Sequence, residues 1–83
     1  MVRISAQVSL YPLRQEKLSP VIDKATEIFK RHGIELETGA MSTLLVDNDD
    51  VIFEALKDVF REGAELGEIV MVVTLSNACP VSD

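Results

Sequence analysis

Along residues 4–11 the chain alternates strictly: Ile4, Ala6, Val8 and Leu10 are apolar, while Ser5, Gln7, Ser9 and Tyr11 are polar. That period of two predicts a strand with one buried face. The polar row carries no charge. A face meant only for water would normally hold Lys and Glu, whereas hydroxyls, a carboxamide and a phenol exchange hydrogen bonds in a partly dry setting. The row is therefore expected to line something, and Pro12 is expected to close the strand.

A charged connection over residues 12–17 leads to Ser19-Pro20, a helix start with the serine at the N-cap and proline at the first helical position. Asp23 is placed in the first turn, Lys30, Arg31 and His32 in the last, and Gly33 at the left-handed stop. Leu18, Ile22, Ala25 and Phe29, flanked by Val21 and Ile28, form one apolar stripe at helical spacing. Residues 34–38 predict a second strand, with Ile34 and Leu36 inward and Glu35 and Glu37 on a solvated edge. Gly39-Ala40 is the expected hairpin turn and residues 41–47 the third strand. Asn48, Asp49 and Asp50 form a cap cluster for a second helix, in which Ile52, Ala55, Leu56, Val59 and Phe60 recur at three and four residues. Gly63 and Gly67 are both candidate stops. Residues 69–76 make a Val-rich fourth strand, apolar on both faces for most of its length, and the tail over 77–83 has no helical period.

Strand, helix, strand, strand, helix, strand is a doubled β-α-β unit. Right-handed crossovers in both halves interleave the strands as 4-1-3-2, all antiparallel, with both helices on one face. The fold class expected is α+β, a ferredoxin-like βαββαβ sandwich formed as a single domain over residues 1–83. In that order the first strand is central, which is expected to bring Ser9 and Tyr11 near Thr43, Thr74 and Ser76. The helix-free face should also carry Val and Leu or Met side chains from the fourth strand. So large an apolar patch would ordinarily be covered, and the expectation is a homodimer or homotetramer packed through the open sheet face.

Size and charge narrow the function. A chain of 83 residues buries only about 60% of its unfolded surface, which makes association a natural source of stability. A net charge of -6 with scattered Lys and Arg argues against a nucleic-acid partner and favours a cationic or neutral ligand. One cysteine, Cys79, precludes an internal disulfide, and with one histidine, His32, the chain offers no His/Cys metal cluster. The amino end does not read as a signal peptide and no apolar run reaches membrane-spanning length, so no membrane partner and a cytoplasmic setting are expected.

Ferredoxin-like domains serve unrelated functions, and the side chains must decide among them. A copper or zinc carrier needs a Cys-x-x-Cys pair after the first strand, and there is none. An RNA-recognition module needs aromatic residues on the central strands, where only Tyr11 is found. An acyl-phosphate hydrolase needs a glycine-rich cradle, but no glycine precedes Gly33. His32 reads as compensating a helix end, and Cys79 has no basic activator nearby in sequence. No acid, base and nucleophile stand at a defensible spacing, so the chain is expected to bind rather than catalyse. The candidate ligand contacts are Ser9 and Tyr11, with Ser42 and Thr43 on the third strand, Asp47 before the second helix, and Asn77 after the last strand. Each has a plainer role as strand former, helix-start residue or tail. Gln7 is expected to make an interface hydrogen bond.

The stretches 6–12 (AQVSLYP), 39–43 (GAMST) and 74–80 (TLSNACP) together resemble the thiamine-binding family of the YkoF type over nearly the whole chain. The resemblance implies a ferredoxin-like domain that binds thiamine or its hydroxymethylpyrimidine half without chemistry, in dimers or tetramers that pair sheets. Thiamine is there a ligand, and no cofactor or metal is implied. Membership of the matching motifs marks Ser9, Tyr11, Thr43 and Asn77. With Gln7, Ser42 and Asp47 they make up the expected ligand-binding set. Tyr11 would stack on a ring or bond it through its phenol, the hydroxyls and Asn77 would read the pyrimidine edge, and Asp47 would meet the cation or exocyclic amine.

Overall fold

The computed structural model describes residues 2–14, 19–39 and 42–78. The chain runs β1 (Arg3–Pro12), α1 (Ser19–Arg31), β2 (Glu35–Thr38), β3 (Thr43–Asn48), α2 (Asp49–Glu65) and β4 (Ile69–Ser76). The strands form one sheet in the order β2-β3-β1-β4 with every pairing antiparallel. This is the expected ferredoxin-like arrangement, read from the other edge.

The alternation in β1 sorts its side chains as expected. Ile4, Ala6 and Val8 are buried beneath the helices, in one cluster with Ala25, Ile28 and Phe29 of α1 and Ile52, Ala55 and Val59 of α2. The opposite face of the sheet carries Ser5, Gln7, Ser9 and Tyr11. Beside them lie Leu44 and Val46 of β3 and Val70, Val72, Thr74 and Ser76 of β4, placed there by register. Leu44, Val70 and Val72 are 43%, 43% and 50% exposed. The apolar patch on the open face is thus real.

Several local expectations need correction. Thr43 pairs with Val8, so its side chain belongs to the helix face and not beside Ser9. Met71, Val73 and Leu75 of β4 also turn to the helix face, leaving valines, a threonine and a serine on the open one. Ile34 is buried just ahead of β2 rather than within it. Helix α1 has no acid in its first turn, since Asp23 lies one residue further in. Asn48 occupies the N-cap of α2 but makes no side-chain cap bond. Asp47 Oδ1 accepts from the Asn48 amide at 2.7 Å, and Asp49 Oδ1 from the amides of Asp50 at 2.9 Å and Val2 at 3.0 Å. The acids of that cluster therefore serve, but each one residue out of the expected step.

Glycines mark the helix ends in two different ways. Gly33 has φ 75°, and the amides of Gly33 and Ile34 reach back to the carbonyls of Lys30 and Phe29. That double closure needs a left-handed residue and ends α1 where expected. Gly63 is no stop: it is buried inside α2, and a Cβ there would stand 2.9 Å from Ile69 Cδ1. Gly67, at φ 146°, follows the helix. His32 is half-buried, with Nε2 2.8 Å from Asp58 Oδ2, so it ties α1 to α2 rather than standing at the surface.

Candidate functional site

Among the described residues a hollow lies between α1 and the sheet, with a volume of about 210 Å³. Its origin is in the register. Strand β3 reaches only as far as Val8, whereas β4 accompanies β1 as far as Pro12. The end of β1 therefore overhangs its neighbour. Val8 and Leu10 on β1 and Thr43 on β3 form the floor, and Ile22, Ala25 and Phe29 of α1 form the roof. Tyr11, Thr38, Gly39 and Ser42 close the end, where the Gly39 amide donates to the Ser42 carbonyl at 2.7 Å. Ala40 and Met41 of that hairpin, like the chain around Leu18, lie outside the described residues.

The described lining is apolar with hydroxyls at one end, and among the described residues none of its side chains carries a charge. A hollow of that make-up suits a flat neutral ring with hydrogen-bonding edges. Among the described residues it offers a guest the hydroxyls of Tyr11, Thr38, Ser42 and Thr43. Among the described residues no group of His, Cys, Asp and Glu could hold a metal ion. No helix of the described residues is long and apolar enough to cross a membrane.

The candidate residues divide over four places. Tyr11, Ser42 and Thr43 line the hollow. Gln7 and Ser9 are on the sheet's open face, and Gln7 Nε2 donates to Ser42 Oγ at 3.2 Å. Ser42 thus joins the two sets: its oxygen accepts from Gln7 on one side of the sheet, and the residue borders the hollow on the other. Asp47 pairs with Ile4 in the ladder, so it is on the helix face but at the far end of β1 from the hollow, where it holds the start of α2. Asn77 is exposed, immediately beyond β4 and on the Ser76 end, which pairs with Ser5 and so lies at the far end of β1 from Tyr11. Cys79 lies outside the described residues.

Ile22, Ala25, Phe29 and Thr38 were assigned to core or strand by sequence, and they are part of the lining. The one sequence signal was Ala25, a small residue in a stripe of large ones. The charged groups nearest in kind are elsewhere, on the outer surface of the helix pair. There Glu62 accepts from Arg31 at 2.8 Å and faces Lys24 at 3.5 Å, which holds its carboxyl below the usual carboxylate range and pushes the Arg31 guanidinium up.

Comparison with known proteins gives the fold and the hollow a context. The UPF0045 protein MJ1052 of Methanocaldococcus jannaschii is 37% identical over 59 residues, a match spanning 70% of this chain and 59% of that protein. Its crystal structure superposes with a TM-score of 0.84 over 92% of this chain and 80% of that one, at 29% identity. A Bacillus cereus domain of unknown function, DUF77, matches with TM-score 0.80 at 23% identity, covering 98% of this chain and 83% of its own. A Thermotoga maritima protein assigned provisionally to thiamine biosynthesis or salvage matches with TM-score 0.81 at 20% identity, covering 89% and 82%. The last two show shared fold. The model of the YKOF-related family matches residues 3–82, and the chain belongs to that family.

Proposed function

We propose that this chain binds thiamine or its hydroxymethylpyrimidine half, without catalysing a reaction, for vitamin transport, storage or sensing. The observation that carries the reading is the 210 Å³ hollow beneath α1, apolar except for the hydroxyl-bearing end at Tyr11, Thr38, Ser42 and Thr43. An aminopyrimidine has two apolar faces and a polar edge, which match that division. The thiazolium of thiamine would stay at the mouth, where the acidic surface of a chain with net charge -6 favours a cation. Family membership supports the reading, as does the thiamine assignment of the Thermotoga maritima protein, one with the same fold.

In this proposal the open face packs against another copy, covering Leu44, Val70 and Val72, and assembly makes up for the small core. Gln7 and Ser9 belong to that contact, and Gln7 orients the Ser42 hydroxyl from behind. The protein acts in the cytoplasm.

Calorimetry with thiamine, hydroxymethylpyrimidine and a thiazole control tests it. Heat with the first two and none with the thiazole is expected. Thr43→Val should weaken the pyrimidine about fivefold, the equivalent of one hydrogen bond near 1 kcal/mol. Silence with all three at millimolar ligand sinks the reading. The exposed valines and Leu44 favour a second reading, a ligand-free assembly module. It predicts that none of the three compounds raises the melting temperature, while substitutions at Ser9 change the assembled mass.

A further inference from the structure

The hairpin that joins β2 to β3 sets two threonines side by side at the polar end of the hollow. Thr38 is the last residue of β2 and Thr43 the first of β3, and they are direct partners in the ladder. Thr43 comes two residues before Leu45, which is fully buried, and Thr38 two after Leu36, which packs against the same core. Alternation therefore gives both threonines the helix face, where both line the hollow.

Hydrogen-bond parity makes the pair a close one. The Gly39 amide donates to the Ser42 carbonyl at 2.7 Å, so Gly39 and Ser42 are a bonded pair. In an antiparallel ladder bonded and unbonded pairs alternate. Thr38 and Thr43, one step along, are thus an unbonded pair, the kind whose Cα atoms approach to about 4.5 Å and whose side chains stand closest. Neither hydroxyl has a hydrogen-bond partner among the described residues. Ser42, by contrast, is already engaged by Gln7, and Tyr11 reaches the hollow from β1, away from the hairpin.

We infer that Thr38 and Thr43 act together as the specificity-determining pair of the hollow, selecting a flat ring with two adjacent hydrogen-bonding atoms on one edge, one a donor and one an acceptor. The inference rests on the binding reading above and defines its ligand class. A hydroxyl both donates and accepts, and it rotates to suit. Faced with an amidine edge, a ring nitrogen beside an amino group, one threonine donates to the nitrogen and the other accepts from the amine. Faced with an amide edge, a ring N–H beside a carbonyl, the two exchange roles. A carboxylate in the same place only accepts, and would admit one pattern alone. The pair thus reads that an edge is two-pronged without fixing which prong donates. The ligand class therefore extends from aminopyrimidines to oxopyrimidines, and it stops short of rings with a single hydrogen-bonding atom on that edge. Thr38, exposed at the mouth, and Thr43, half-buried behind it, hold the edge while the ring faces meet Val8 and Phe29.

Calorimetry with three hydroxymethylpyrimidines tests it: the amino compound, its oxo counterpart, and the counterpart bearing only hydrogen at that carbon. With the unaltered chain the first two should bind within about threefold of each other, and the third about fivefold more weakly, the loss of one net hydrogen bond. Thr38→Val keeps the branched shape at an exposed position. The one hydroxyl that remains satisfies one prong, so this variant should hold all three compounds within about twofold of one another. Adding Thr43→Val should then weaken all three alike, by about a further fivefold. Equal binding of the three by the unaltered chain overturns the inference and leaves the binding reading standing, as does a spread among them that survives in Thr38→Val. A preference for the amino over the oxo compound beyond about threefold overturns the exchange of roles. Silence with all three overturns both the inference and the reading it rests on.

Discussion

The two halves of the sheet-and-helix unit repeat the same topology and fill it differently. Where α2 meets the sheet, Gly63 lets Ile69 approach to where a Cβ would stand only 2.9 Å away, and Ile52 and Val59 are at 0% and 1% exposure. Where α1 meets the sheet, the corresponding small residue is Ala25, and the space above it is left open as a hollow of about 210 Å³. A small residue in a helix stripe thus has two uses. It brings a neighbour close when a long side chain is opposite, and it leaves room when the strand opposite overhangs its partner.

The most severe way to break the comparison is to place the same side chain at both positions. Gly63→Leu must displace the Ile69 side chain, whose Cδ1 is 2.9 Å from the new Cβ, and then meets Val21 Cγ1, at 3.9 Å. Overpacking of this kind costs about 2–3 kcal/mol, which urea unfolding would register as a lower midpoint at unchanged slope. Ala25→Leu enters the hollow instead. Its effect on stability should be within about 1 kcal/mol of zero, since filling a gap and crowding its walls oppose each other. The heat of pyrimidine binding should disappear. If Ala25→Leu destabilises as strongly as Gly63→Leu, the α1 side is as full as the α2 side and the contrast fails.

Sequence made the architecture legible because the period-two pattern of β1 and the helical stripes agree with one another at every level, as do the glycine stop at Gly33 and the acids before α2. The hollow was much less legible. Whether Ser9 or Thr43 borders it depends on which face of the sheet it lies on, and for Thr43 that follows from its pairing with Val8. A shift of one residue would have reversed it. The overhang of β1 beyond β3 is likewise a matter of register between segments far apart in sequence. Alternation in a single strand cannot report it. Ser9 and Tyr11 looked equivalent because they share a row, yet only Tyr11 reaches the part of β1 where β3 has ended.

A smaller effect tests how α1 is closed. Gly33 has open space around its missing Cβ but a φ of 75°, so Gly33→Ala is penalised by backbone conformation alone, by about 1–2 kcal/mol. Gly33→Asn should recover part of that loss, because asparagine tolerates the left-handed region better than alanine. Thermal melts of the two variants decide it, and equal loss in both would place the role of Gly33 in packing.

The smallest expected effect is electrostatic and sharpens the same contrast from outside. Two carboxylates are held below their usual range: Glu62 chiefly by the hydrogen bond from Arg31, which links α2 to α1, and Asp49 chiefly by the amide of Val2, which ties the start of α2 to the start of β1. A carboxyl depressed in the folded state lends stability above its unfolded-state pKa, near pH 4, and loses it as the pH falls through the folded value. The melting temperature should therefore hold between pH 7 and 5 and decline below about pH 4. Both groups are at the surface, so the decline from either should be slight and should shrink in 0.5 M salt, where screening shortens the reach of the charges. Glu62→Gln weakens one of the ties between the helices and should flatten the acid limb in part. Asp49→Asn should flatten it independently, because the two acids are at opposite ends of α2 and share no partner. An acid limb that is unchanged in the double variant would assign the pH dependence to other carboxylates.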